Sequence, residues 1–434
     1  MKTQNAIALA AGSLLLATAI SGFSAGHVAR RGAKSGKAVT IVWYASPITD
    51  TGLRMALINA FEKTYPNIHV KLDTAPTNTD TMRSTLATAI TGGSSHPDVY
   101  MGDVIWPAQF GHNDLALPLS KYLPKSFFSR FAPGLVKGAS YQGSVYGAPF
   151  FMDSGFLYYR KDLLAKENLP VPKTWTQLVN DSKILQKDKL VKYGYVWQGA
   201  DYEGLTCDWM EVMTDAGGTV FNKNYSKVTI DSAASLRALK FLRSLITSGI
   251  SPAAETTFEE PQAMNVFDAG NAAFLRNWDY AWSNSNDPKD SKVVGKVGVV
   301  PMPTFPGQKS PGYSCIGGWD IYVNPHSTHR AQDLTFIKWI TGVKAQTILA
   351  TQFSEIPTNY AVQQNPAVQA VNPVLKTVHN VHLIARPSGS PAYPQISHAI
   401  YSNLNAALAG TVSPASALKS AAQQIQLAIS KHSL

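Results

Sequence analysis

Residues 38–72 hold the pattern that most limits this chain. AVTIVWY at 38–44 is rich in β-branched and aromatic residues, and a loop of Ser, Pro, Ile, Thr and Asp follows it. Leu53, Leu57, Ile58 and Phe61 then recur at helical spacing, so residues 53–65 predict an amphipathic helix. Pro66 and Asn67 stop it, and IHVKL at 68–72 predicts a second strand. Strand, loop, helix and strand in that order place two parallel strands in one sheet, with the helix on its face. Met82, Leu86 and Ile90 stack over a second helix at 80–91, which Gly92 and Gly93 end. A third short strand is expected at 97–101, stopping at Gly102 and Asp103. Asp103 then lies on the carboxyl edge of a parallel sheet, where open α/β sheets bind ligands, and so do Thr49 and Asp50 after the first strand. Asp103 fits equally well as a cap for the next helix, expected at 104–110.

The rest of the chain repeats this grammar. VYGAPFF at 145–151 is apolar but broken by Gly and Pro, as a segment passing between lobes would be. Strands are expected at 156–159, 272–275, 293–301 and 320–323. Helices are expected at 205–216, 232–248, 261–267, 331–340, 343–349, 396–408 and 415–429. RPSGSPAYP at 386–394 can be neither helix nor strand throughout. A chain of 434 residues favours two lobes over one. The expected division is 38–147 with 295–325 in an N-terminal lobe, and 148–294 with 326–434 in a C-terminal lobe. Several crossings between the lobes then make a hinge and a cleft.

Lys and Arg number 38 against 28 Asp and Glu, a net charge of +10. No dense basic run with interleaved aromatics accompanies it, which argues against nucleic acid as a partner. Attraction to an anionic cell surface fits the charge, and so does a carboxylate-poor surface suited to an acidic medium. Residues 1–25 read as an export signal: Lys2, an apolar run at 7–20, then small residues. Phe23 stands where a lipoprotein cleavage box would carry its cysteine, so export is expected and lipid anchoring is in question. Residues 26–37 read as a tether. Cys207 and Cys315 are the only cysteines, too few for a disulfide scaffold or metal framework, although one long-range bridge is possible by count.

The chemistry sits in GNAAFLRNWDYAW at 270–282, where a buried strand would end in aromatic, amide and charged side chains. Such a set suits a ligand with both C–H faces and hydroxyls, as a sugar has; it also fits a core strand with an aromatic plug. Trp197, Trp209, Trp278, Tyr280, Trp282 and Trp319 all lie near turns. A sugar ring stacked on one indole gains roughly 1–3 kcal/mol. Each charge-assisted hydrogen bond to a hydroxyl adds about 1.5–3 kcal/mol. Catalytic signatures such as G-x-S-x-G, H-E-x-x-H, a P-loop or G-x-G-x-x-G are lacking, and no cofactor or metal is expected. Asp103 and Asp153 as a glycosidase pair is the alternative to a binding protein.

With these residues in view, the chain resembles an extracellular solute-binding protein of an ABC sugar importer, in the trehalose/maltose-binding branch. The likeness runs through FEKTYPNIHVKL at 61, SSHPDVYMGDVIW at 94, GAPFFMDSGFLYYRKDLL at 147, VWQGADYEGLTCDWMEVMTDAGGTVF at 196, GNAAFLRNWDYAW at 270, KVGVVPMPTFPGQKS at 296 and GGWDIYVNPHS at 317. The resemblance implies a two-lobed periplasmic-binding-protein fold of type II, maltose-binding-like, closing on a disaccharide or short oligosaccharide. It implies a monomer that hands its ligand to a membrane permease. By the same likeness Asp50, Asp103 and Asp153 accept from sugar hydroxyls. Thr77 and Arg83 point into the cleft, Trp278 is the stacking platform with Tyr280 beside it, Gly318 and Trp319 close the other wall, and Arg386 reaches back to the ligand. Two departures from the branch, Asp50 for a usual Glu and Phe151 for a common Tyr, leave the disaccharide class better supported than trehalose itself.

Overall fold

The computed structural model describes residues 37–47, 52–371 and 373–431. The export signal, Phe23, the tether up to residue 36, Thr49 and Asp50 lie outside the described residues. Among those described, no helix is long and apolar enough to cross a membrane.

β1 (Val39–Ala45) and β2 (Ile68–Thr74) pair in parallel from Val39 opposite Ile68 to Ala45 opposite Thr74. The Gly52–Thr64 helix between them buries Leu53, Leu57, Ile58 and Phe61, the stripe expected from spacing. β3 (Val99–Asp103) adds to the other side of β1, with Trp43 opposite Val99. β3 begins two residues later than expected, after Pro97, which has no N–H to give a ladder, and extends through Asp103. β4 (Ser140–Tyr141) and β5 (Ser144–Val145) form a small hairpin. β6 (Ala148–Ser154) enters the large sheet and leads through Gly155 into β7 (Phe156–Arg160). β7 joins β8 (Tyr193–Val196), β9 (Ala272–Asn277) and β10 (Val297–Val300) in a small sheet of order β10-β7-β9-β8. The chain then returns through β11 (Tyr313–Val323), which lies between β3 and β6 and antiparallel to both. β12 (Ile356–Pro357) pairs with β6, and β13 (His382–Ile384) with the start of β11. The large sheet therefore runs β12-β6-β11-β3-β1-β2.

Two cores hold the sheets: the first packs the large sheet and one face of the small sheet, and the second packs the small sheet's other face. Trp43, Phe61, Phe150 and Phe336 meet edge to face in the first. Trp175, Trp209, Leu242 and Ile400 belong to the second, which the Tyr393–Ala409 and Pro414–Lys431 helices help to cover. This is a mixed α/β architecture with two sheets, as the sequence implied.

The structure departs from several expectations. The Gly- and Pro-broken run at 145–151 contains most of β6, a strand paired on both sides. Pro149 is tolerated because the β6–β11 register shifts at Trp319 and Asp320, a bulge that spares the missing N–H. β11 is much longer than 320–323 and runs straight through Gly317 and Gly318. Gly318 has φ of +124°, and a Cβ there would stand 2.6 Å from the Phe151 carbonyl oxygen, so the strand needs glycine at this point. β10 pairs with β7 in the small sheet, although 295–325 was assigned to the N-terminal lobe. The Arg330–Ile340 and Val343–Phe353 helices pack with the first core, although 326–434 was assigned to the C-terminal lobe. An amphipathic stripe states that a helix is half buried; it does not name the sheet it covers.

Candidate ligand-binding site

Strand ends converge between the two sheets. Asp103 closes β3, Asp153 is the penultimate residue of β6, and Trp278 directly follows β9. With them around one cavity stand Thr77, Tyr280, Gly318, Trp319 and Arg386. The cavity is small, about 50 Å³. On that measure one water takes about 10–15 Å³, so there is room for a few waters and for no pyranose ring.

Trp278 is held from behind. The Arg276 guanidinium lies 3.9 Å from its ring centroid, and the Tyr158 hydroxyl donates to its carbonyl at 2.7 Å. Arg276 is fully buried and donates from Nε and Nη2 to the two Glu211 carboxylate oxygens at 3.0 and 2.6 Å, and from Nη1 to Gln198 Oε1 at 2.6 Å. Asp208 Oδ1 lies 3.1 Å from Arg276 Nε. Gly155 lets this network sit against the β6–β7 junction, because a Cβ there would collide with the Glu211 carboxylate and the Arg276 guanidinium. The NWDYAW segment thus ends a strand whose arginine, two residues before the indole, fixes the indole's rear face.

Arg386 ties the halves together. It donates from Nη1 and Nη2 to Asp103 at 3.2 and 2.7 Å, and from Nη1 to Glu203 Oε1 at 2.9 Å. Glu203, on the Glu203–Asp215 helix against the second core, also accepts from the Tyr393 hydroxyl at 2.6 Å and from the Ser397 hydroxyl. Two further bonds cross between elements of the two sheets: the Glu203 N–H donates to Asp80 at 3.1 Å, and Asn78 Nδ2 donates to Glu259 at 2.8 Å. Asp103 binds Arg386 in the cavity wall and accepts from the Ile105 N–H at 3.2 Å, but it does not cap the next helix as the second alternative expected. The helix that follows starts at Pro107, with Trp106 in the capping position.

Burial raises several carboxyl groups here. It pushes Glu203 up to about 7 against the pull of Arg386, and Glu260 up to about 7 against hydrogen bonds that include one from Tyr202. It pushes Asp153 up to about 6, opposed by a hydrogen bond with Asp279. Asp153, Asp279 and Glu355 bring three carboxyl oxygens within 4.8 Å of one another, the type of donor that hard cations take. Burial also drives Asp279 and Glu355 well above the usual carboxylate range.

Arg83 is not among the lining residues. It lies one helical turn beyond Thr79, and its guanidinium turns back to Asp80 at 3.7 Å and to Gln109 at 3.5 Å. Trp197 and Trp209 are fully buried in the second core, while Trp282 packs partly buried on the first. Glu203 and Glu260 were missed by sequence reasoning, as were Ser46, Thr79 and Cys207 on the same wall. Acids at helix starts read as dipole partners, and both glutamates open helices. The available signal was the polar-aromatic YEG at the start of the helix.

Residues 45–347 match the family described as bacterial extracellular solute-binding proteins. A probable ABC transporter-binding protein of Deinococcus radiodurans is 34% identical over 367 residues, 82% of this chain and 86% of that protein. Among solved structures, maltose-bound MalE3 of T. maritima is 33% identical, with a TM-score of 0.84 over 90% of this chain and all of that one. A solute-binding protein of Thermotoga lettingae, bound to α-D-tagatose, matches the fold at 24% identity and a TM-score of 0.81, covering 91% of this chain and 100% of that chain. The matched span takes in β3, β6, β9 and β11, whose ends build the cavity, and the chain belongs to the bacterial extracellular solute-binding protein family.

Proposed function

We propose that this protein captures a disaccharide of the trehalose/maltose type between its two halves and presents it to the permease of an ABC importer. The observation that carries the reading is one indole, backed by a buried arginine, facing carboxyl groups from both sides of a cavity that the halves close. An indole face and paired carboxylates answer the two surfaces of a pyranose, its C–H face and its hydroxyl rim. Maltose in the T. maritima relative points to the same ligand class. The present cavity is too small for that ligand, so the Arg386, Asp80 and Asn78 contacts must part for entry. Asp50, which lies outside the described residues, is included in the ligand set by resemblance. Arg83 acts through Asp80 instead of touching the sugar.

The family consists of binding receptors that work outside the cytoplasm, not of enzymes, so the glycosidase use of Asp103 and Asp153 is set aside. Asp103→Asn and Asp153→Asn should each weaken binding, while wild type releases no product from maltose or a nitrophenyl glucoside. Turnover by wild type that either variant loses would restore the enzyme reading.

Trp278→Ala should cost about 2–4 kcal/mol of sugar affinity with the fold retained. Calorimetry against a disaccharide panel checks it. Unchanged affinity removes Trp278 from the site, and no heat with any member of the panel overturns the proposal.

A further inference from the structure

Cys207 and Cys315 are far apart in sequence, and the helix that carries one packs on the strand that carries the other. Cys207 lies on the Glu203–Asp215 helix and lines the cavity; Cys315 lies near the start of β11. Glu211 follows Cys207 by four residues and so shares its helix face. The Glu211 carboxylate accepts from the Cys315 N–H at 2.9 Å, which lays β11 across that face. Both are free cysteines in the structure and almost fully buried, at 1% and 0% exposure, and the Cys315 Sγ lies 3.7 Å from the Ile316 carbonyl oxygen. Neither cysteine joins a group suited to a metal among the described residues. We infer that Cys207 and Cys315 are joined by a disulfide in the exported protein, a staple between the helix that carries Glu203 and the strand that carries Gly317, Gly318 and Trp319.

The inference rests on the family's place outside the cytoplasm, where disulfides form and persist, and not on which sugar binds. The oxidant is a protein or small-molecule disulfide of that compartment. One cysteine thiolate attacks it, forms a mixed disulfide and releases one thiolate. The other cysteine thiolate then attacks the first cysteine's sulfur and displaces the second. One S–S bond forms, the oxidant's S–S bond is lost, and the two protons and two electrons of the cysteines end on the reduced oxidant. The exchange belongs to folding. In the packed molecule the neighbouring Cys315 thiol, and then burial, push the Cys207 thiol well above its ordinary value, which leaves little thiolate to react. The same burial then shields the finished bridge from reductants.

The bridge lies directly beneath the site. Glu203, which holds Arg386, is one turn before Cys207, and Gly317 is two residues after Cys315. The test uses the full chain, exported and purified without reductant, then unfolded in guanidinium with N-ethylmaleimide and weighed intact. No adduct is expected. After reduction by a phosphine the protein should gain about 2 Da and then accept two adducts. Cys207→Ser and Cys315→Ser should each take one adduct without reduction. The double serine variant should melt about 5 °C below the oxidised wild type, close to the reduced wild type. Two adducts on the unreduced wild type, or disulfide-linked dimers on a non-reducing gel, overturn the inference. Thiol counts are read without sugar, so they stand or fall separately from the binding titrations.

Discussion

Arg276→Ala is expected to destabilise the protein by about 3–5 kcal/mol, because it leaves carboxylates buried without their cation. Arg276 is fully buried, and Glu211 receives two of its hydrogen bonds with Asp208 beside it. Neither acid can reach water: Glu211 is 0% and Asp208 3% exposed. In a chain of this length the loss amounts to a fall in melting temperature of roughly 4–8 °C. Sugar affinity should fall as well, since the same guanidinium supports the rear of the Trp278 ring. Arg276→Lys keeps the charge but cannot reproduce the two-pronged bond to Glu211 and should lie between the two. Differential scanning calorimetry and sugar titration on the three proteins check this. An Arg276→Ala protein that melts within a degree of wild type would mean that the network carries no such load.

That network marks where sequence reasoning reached and where it stopped. The β1–helix–β2 unit was legible because its two periods are local: alternation in the strands, and Leu53, Leu57, Ile58 and Phe61 on one helical stripe. Trp278 and Tyr280 were legible as polar-aromatic residues after a strand, but the role of Arg276 behind the indole was not. Its partners lie on a distant helix, and only folding brings them together. Arg83 misled for the opposite reason. The TNTDTMR run suggests a residue facing the cleft, but Asp80, three positions earlier on the same helix, takes its charge. The expected strand at 320–323 fell short of β11 because a Gly-Gly pair, Gly317 and Gly318, carries no strand signal. Glycine there answers to the close passage of β6, a contact between strands far apart in the sequence. Helices 330–340 and 343–353 were legible as helices but not as part of the first core, because periodicity carries no address.

Lowering the pH from 7.5 to 5 is expected to raise the melting temperature by about 5 °C or more. Burial pushes Glu203, Asp215, Glu260, Asp268, Asp320 and Asp333 up to about 7, and Asp153 up to about 6. In the unfolded chain such carboxyls titrate near 4. Between about pH 4 and 7 the native state therefore holds more protons than the unfolded state, and stability falls as pH rises. The contribution is complete below the unfolded value and disappears as the pH climbs through 6 to 7. Each pH unit over which one such group is protonated only in the native state is worth about 1.4 kcal/mol at most, so several groups together outweigh the small charge effects of the surface. These acids belong to a chain with only 28 Asp and Glu against 38 Lys and Arg. Many of the few carboxyls are spent inside, where acid stabilises them, and the surface keeps few to lose. That combination supports an acidic working medium as the reason for the basic net charge. Melting scans from pH 3 to 8 decide it: a maximum near pH 5 agrees, and a melting temperature at pH 5 no higher than at pH 7.5, or unfolding near pH 4, overturns it.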